Sequence, residues 1–277
     1  MKKIILTAAA AFFLVAADAQ QLKTPAASPS QTIKQEFGLS SIELNYSRPG
    51  VKNRKVYGDL VPFGKVWRTG ANQATTLTFG DEVTIGGKKV PAGTYGLLTI
   101  PDKNSWTFII SKQVDVTSPA AYKQDMDVVR VEAKPMKTDH PFETLTMQFA
   151  NVKPTTVELM LLWENTAVAL PISTDVDAKV MKQIDDLMNK DSKPYFGAAM
   201  YYMENGKDLN QAMVWFDKAA QVQPKAFWVH HQRANALAKL GRKEDARAAA
   251  KTSMDLARDA KNDDYVKLNE KLLAELK

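Results

Sequence analysis

The sequence predicts a chain of two fold classes. A mainly β N-terminal domain, an antiparallel sandwich or jelly-roll-like fold, precedes an all-α C-terminal domain of helical hairpins. Three observations predict this. From Ser41 to Ile172 apolar residues recur at every second position in short runs, and turn residues separate the runs. No helical period intrudes before residue 175, which argues against a parallel βαβ arrangement. From Asp175 onward the apolar spacing changes to three and four.

The first residues carry an address. Lys2 and Lys3 precede the apolar run "IILTAAAAFFLVAA", which is short for a membrane span, and Ala17-Asp18-Ala19 offers the small residues a signal peptidase reads. Residues 1–19 are therefore expected to be a signal peptide cleaved before Gln20, with an uncleaved anchor as the alternative. The expected location is the periplasm or cell envelope, with no transmembrane segment after cleavage. The chain has no cysteine, so it has no disulfide, no thiolate metal site, no lipidated cysteine and no thiol nucleophile. Its formal net charge is +6, from 37 basic and 31 acidic side chains spread along the chain. Without a basic stripe that excess gives no reason to expect nucleic acid.

Residues 20–39, containing "QQLKTPAASPSQT", are poor in apolar residues and predict a flexible linker. The β-domain is expected over 40–173. Ile42, Leu44 and Tyr46 alternate in "SIELNYS", as do Leu77 and Phe79 in "ATTLTF" and Trp106, Phe108 and Ile110 in "SWTFII". "DVVRVEA", "ETLTMQF", "TVELMLLW" and "AVALPI" continue the series. Gly86-Gly87 predicts a two-residue hairpin turn between "EVTI" and "KKV", because glycine takes positive φ without steric cost. About nine strands result.

The helical domain is expected over 174–277. Thr174 or Asp175 is the expected N-cap of its first helix, and breaks fall at Lys193-Pro194, Gly206, Pro224 and Gly241. Ala212, Phe216 and Ala219 place small, bulky and small residues at i, i+4 and i+7 before Pro224, with Tyr195, Ala199 and Tyr202 on the preceding helix. This unit resembles the tetratricopeptide repeat. A second unit, with Ala234, Leu237, Ala246, Ala250 and Ser253, departs from the pattern at Ala250 and at Arg258, where the repeat has a bulky residue and a proline.

Familiar catalytic and cofactor constellations are missing, so no cofactor and no metal are expected. His230 and His231 are neighbours on a helix and point roughly 100° apart, which suits a surface or interhelix polar role better than chelation. His140 is placed beside a proline in a strand connection. What stands out is Tyr46 to Phe79, "YSRPGVKNRKVYGDLVPFGKVWRTGANQATTLTF", with three arginines, a tryptophan and four glycines inside its irregular part.

Tyr46-Ser47-Arg48-Pro49, Asn53 to Gly58, Leu60 to Gly64 and Val66 to Asn72, continued by "PAGTYGLLTIP", "WTFIIS", "DVVRVEA" and "ELMLLWENTAVALPI", resemble the motif blocks of an exported bacterial family. That family is the domain of unknown function twenty-nine-eleven. The resemblance covers roughly Ser40 to Ile172 and is least for Lys112 to Met126. It implies an exported β-rich domain and no established activity.

Read from their chemistry, Arg48, Arg54, Tyr57, Trp67, Arg68 and Asn72 are the candidate ligand-binding residues. Guanidinium groups fork onto carboxylate, sulfate or phosphate, Asn72 both donates and accepts, and Trp67 and Tyr57 offer flat faces to a sugar ring. Equally, the arginines can staple a long connection by bonding its carbonyls, with Trp67 as a core plug. The function expected first is noncatalytic: a β-domain binding a small polar or saccharide ligand, and helices docking a protein partner. The alternatives are a hydrolase of a cell-envelope component, drawing on Glu43, Asp59, Asp81 or Glu82, and a purely structural assembly module. Aromatics of the helices (Tyr201, Tyr202, Trp215, Trp228) are expected mainly in the core.

Overall fold

The computed structural model describes residues 24–276, so the expected signal peptide lies outside the described residues. The chain divides into two compact units, 1–175 and 176–277. Among the described residues the first contains ten strands: β1 Ser30–Phe37, β2 Ser40–Ser47, β3 Thr76–Phe79, β4 Val83–Ile85, β5 Lys88–Val90, β6 Gly93–Ile100, β7 Trp106–Ser111, β8 Asp127–Ala133, β9 Met136–Ala150 and β10 Thr156–Ser173. They form a six-stranded sheet, β1-β2-β3-β6-β7-β8, and a four-stranded sheet, β5-β4-β10-β9. Every paired neighbour is antiparallel.

Alternation decides which face is buried. Leu44, Tyr46, Leu77, Phe79, Leu97, Phe108 and Ile110 of the larger sheet share one core with Leu145, Met147, Leu159, Leu161, Trp163 and Leu170 of the smaller. Each such fully buried side chain stabilises the fold by about 1.5–3 kcal/mol relative to exposure. Tyr46 also links the sheets by hydrogen bonds. Its hydroxyl accepts from Met147 N–H at 2.8 Å and donates to Gln31 Oε1 at 2.9 Å. Gly86 and Gly87 have φ of +56° and +77°, the left-handed pair that a tight β4–β5 turn requires.

The structure departs from the sequence expectations in four places. Residues 30–37, expected as linker, form β1 and pair along their whole length with β2, from Ser30↔Ser47 to Phe37↔Ser40. As an edge strand β1 buries little, and among its residues only Phe37 is buried. "TVELMLLW" and "AVALPI", expected as two strands, are one 18-residue strand. Its inward phase runs through Val157, Leu159, Leu161 and Trp163, then shifts to Val168, Leu170 and Ile172. The shift falls at Glu164, which has φ +49° and sits where the β9–β10 register slips, so the irregularity is a β-bulge. His140 lies within β9 rather than in a connection. Finally, the first helix begins at Asp177, beyond Thr174, whose hydroxyl donates to Glu82 O and caps nothing.

The described residues of the second unit form six helices: α1 Asp177–Met188, α2 Tyr195–Glu204, α3 Leu209–Val222, α4 Phe227–Lys239, α5 Lys243–Asp259 and α6 Asp263–Glu275. Ala199, Ala212, Phe216, Ala219, Ala234, Leu237, Ala246, Ala250 and Ser253 are all buried where helices pack. Small residues at these positions let helices approach closely. Gly206 and Gly241 take positive φ at the ends of α2 and α4, where a side chain would be strained. No helix among the described residues is long and apolar enough to cross a membrane.

Candidate functional site

The irregular connection from Arg48 to Thr75 joins β2 to β3 and touches both sheets on the way. It first runs beside β9, with Val51 N–H donating to Glu143 O at 2.7 Å and Leu145 N–H to Pro49 O at 2.9 Å. Lys52 and Asn53, at φ +50° and +58°, then reverse it. Further on, Trp67 exchanges two backbone hydrogen bonds with Thr99 of β6, at 2.7 and 2.9 Å.

Thr69 holds the next corner. It is fully buried with φ +55°, a conformation that a β-branched residue adopts only under constraint. The constraint is visible. Its hydroxyl lies 3.0 Å from Thr99 Oγ1, and its carbonyl accepts from Thr75 Oγ1 at 2.9 Å. This rigid corner fixes the residues on either side of it, Trp67, Arg68 and Gly70.

Those residues line a cavity of 440 Å³, together with Arg54, Lys65 and Trp163. Trp67 and Trp163 stack with ring centroids 5.7 Å apart and planes 19° apart, so the half-buried Trp67 forms the aromatic wall and the buried Trp163 backs it. Trp163 comes from β10, one residue before the bulge. The cavity carries three cationic side chains and no acidic one.

The six residues singled out in the sequence meet different fates. Arg54, Trp67 and Arg68 line the cavity. Arg54 nevertheless donates Nε to Val51 O at 3.0 Å and Nη2 to Gly50 O at 2.7 Å, and Trp67 donates Nε1 to Gly70 O at 3.1 Å. Arg48 is a staple to β9, bonding Leu145 O and Thr146 Oγ1 at 3.1 and 2.9 Å. Asn72 donates to Ser28 O at 3.1 Å and is absent from the lining. Tyr57 belongs to the core, edge-on to Trp106 and Trp163, instead of offering an open face. Stapling thus accounts for Arg48 and Arg54, while Lys65 and Trp163 line the cavity without having been among the six candidate ligand-binding residues.

The decisive detail is which polar atoms have no partner. Among the described residues, three of the four unpaired buried side-chain atoms lie at or beneath this corner: Arg68 Nε, Trp163 Nε1 and, against Trp163, Tyr57 Oη. Burial, with Glu164 as a lesser cause, pushes the Tyr57 hydroxyl above the usual tyrosine range, so it remains a neutral hydroxyl. Arg68 donates Nη1 to Thr117 O, which ties the guanidinium to the connection between β7 and β8. None of Glu43, Asp59, Asp81 and Glu82 lines the cavity.

The helical unit treats its buried polar groups differently. His231 Nδ1–H donates to Asn269 Oδ1 at 2.8 Å, and Asn269 Nδ2 donates to Ser253 Oγ at 2.9 Å and Tyr265 O at 2.7 Å. Ser253 Oγ–H then reaches Phe227 O at 2.7 Å, which closes the network. His230 bonds Pro224 O at 2.9 Å. Of the four aromatics noted in the sequence, Tyr202 and Trp215 pack edge-on at 4.7 Å, and Trp228 is 39% exposed.

Fold and site together define a class: a two-sheet antiparallel sandwich bearing an aromatic, cationic cavity, followed by a helical unit. A family model described as Protein of unknown function (DUF2911) matches residues 28–172, slightly more than half of the chain, and the chain belongs to that family. The match begins before β1, so the edge strand is part of the family domain. No curated protein and no solved structure matches this chain.

Proposed function

We propose that the β-domain is a noncatalytic module binding a small polar or saccharide ligand in the corner cavity of an exported protein. The observation that carries this reading is a cavity lined by three cationic side chains and no acidic one, with Trp67 in its wall. Cationic donors without an acidic companion favour a ligand that presents acceptor oxygens. The half-buried Trp67 indole, backed by the stacked Trp163, supplies a flat apolar surface of the kind sugar rings pack on. Export rests on the basic and apolar opening of the sequence.

The helical unit is proposed as a tetratricopeptide-like platform for a protein partner, supported by the buried small, bulky and small positions of α3 and by exposed Trp228. The hydrolase alternative needs an acid and a base beside the ligand, and the cavity lining contains no carboxylate to supply either.

A thermal-shift screen of the full chain against envelope saccharides and small polar metabolites tests the ligand reading. At least one compound is expected to raise the melting temperature of the wild type and to do so markedly less for Trp67→Leu. A panel that moves neither protein overturns it. For the platform, Trp228→Ala is expected to abolish copurification of a partner while the fold is retained.

A further inference from the structure

We infer that the free edge of β1 is an interaction surface for a second copy of this chain. The two β1 strands pair antiparallel across a two-fold axis at Gln35, so that Lys34 of each copy faces Glu36 of the other.

A sheet edge exposes backbone N–H and C=O groups that a further strand can bond, and folds blunt it with short strands, bulges, proline or a covering segment. Among the described residues, β1, β8, β5 and β9 are the edges, and three of them follow that rule. β5 spans only Lys88–Val90, β8 starts at a register irregularity beside Ser111, and β9 is covered where Pro49 and Val51 bond to it. β1 does not. It pairs with β2 without a break from Ser30 to Phe37, contains no proline and carries no charge on its inward face. Just ahead of it, Ser28 O and Pro29 O accept from Asn72 and Arg48, which holds the incoming chain away from the free edge.

The register follows from the backbone. Arg48 N–H donates to Pro29 O at 2.9 Å, so the odd-numbered residues of β1 direct their backbone groups to β2. The even ones, Ser30, Thr32, Lys34 and Glu36, direct theirs to the free edge, and their side chains are exposed. Glu36 O bears this out, since it accepts from the Gln35 side chain at 3.0 Å, an exposed contact that an incoming strand can displace.

Charge then selects among the antiparallel registers open to the even residues. An axis at Lys34 sets that lysine against itself, and an axis at Glu36 does the same for the glutamate, and like charges directly opposite are destabilising. An axis at Ile33 sets both charges against hydroxyls. An axis at Gln35 sets Lys34 against Glu36 twice, each pair contributing about 0.2–1 kcal/mol. Within one chain Glu36 stands opposite Ser41 and Lys34 opposite Glu43, and neither makes an ion pair. Glu36 therefore has no cation across the sheet until a second copy brings one. The same axis lays the β1–β2 turn of each copy, where Leu39 is 49% exposed, over Gln31 and the partly buried Ile33 of the other. Such a self-complementary patch is what a two-fold dimer requires.

Sedimentation velocity of the full chain over a concentration series tests this. The wild type is expected to shift from monomer to dimer as concentration rises. Glu36→Lys and Lys34→Glu each set like charges opposite one another, and each alone is expected to associate roughly tenfold or more weakly than the wild type. An equimolar mixture of the two variants is expected to recover the dimer, because opposite charges then meet at both positions. Lys34→Pro removes an N–H that β2 does not use, and is expected to fold and to stay monomeric. Circular dichroism checks that the variants fold. Amide hydrogen exchange at Thr32, Lys34 and Glu36 is expected to slow as the wild type dimerises. A wild type that is monomeric at every concentration overturns the inference, and slow exchange at those amides in that monomer would show the chain covering its own edge. A dimer that survives Lys34→Pro overturns it by placing the contact on another surface. Single charge variants that associate as well as the wild type overturn the register and with it the inference.

Discussion

Two clusters of buried polar side chains, one in each unit, follow opposite rules. Around Asn269 the side-chain amide, His231 Nδ1 and the Ser253 hydroxyl all meet partners within the unit, and the result is a polar joint tying α4, α5 and α6 together. Around Trp163 the backbone is equally constrained, down to a left-handed threonine, yet three side-chain polar atoms are left unpaired. A closed network needs nothing from outside and reads as structure. An open one marks a place where the fold bears a cost that the closed network avoids. The difference separates polar groups that the fold satisfies from those it leaves unsatisfied.

The largest expected effect tests the closed side. Asn269→Ala strands His231 Nδ1, takes the amide donor from Ser253 Oγ and leaves a void in the helix packing, and is expected to cost about 2–4 kcal/mol of stability. Denaturant unfolding followed by helical circular dichroism measures it, and a loss under about 0.5 kcal/mol would erase the contrast. Next comes a matched pair within one sandwich. Tyr46→Phe removes the hydroxyl that serves Met147 and Gln31 and is expected to cost about 1–3 kcal/mol. Tyr57→Phe removes a hydroxyl with no partner and is expected to be neutral or to stabilise by up to about 1 kcal/mol. Equal losses in the two variants would mean that Tyr57 has a partner in solution.

Trp163→Phe sharpens the open side. Stability is expected to change by only about 1 kcal/mol, since the lost indole volume is offset by removal of an unpaired donor. A loss of several kcal/mol would show that the indole N–H is bonded within the fold.

The smallest effect is pH-linked. Asp127, its side chain 8% exposed, has its carboxyl raised above the ordinary 3.8 by burial, partly offset by the Tyr122 hydroxyl and by Arg130. The folded state therefore holds this proton more tightly than the unfolded chain. The stability gained is present below the unfolded value and is lost as pH rises through the folded one. Asp127→Asn lacks that loss, so its stability relative to wild type is expected to improve between about pH 3 and pH 6. A constant difference across that window would contradict it.

Much of the architecture was legible because burial imposes a period. β2 and β3 bury mainly one face, and the helices bury small residues at fixed offsets, so their patterns survive in the sequence. β1 was illegible for the converse reason. An edge strand is specified by backbone pairing to β2, and "SQTIKQEF" needs few apolar residues to make it. The site was half legible. Arg68 and Trp67 were marked by their chemistry in an irregular stretch, but which donors the scaffold occupies depends on long-range carbonyls such as Leu145 O and Thr117 O. Trp163 looked like any inward strand residue. Its signal was the phase slip in alternation at Glu164, which marks a bulge, and bulges redirect side chains beside sites.

The account turns on the Trp163 indole N–H and the Arg68 Nε–H lacking acceptors in the folded chain. Proton–nitrogen correlation spectra resolve the indole signals of the five tryptophans and the Arg68 Nε–H directly. The Trp163 signal is expected upfield of that of Trp67, whose Nε1–H donates to Gly70 O. A Trp163 signal as far downfield as that of Trp67 would contradict the account.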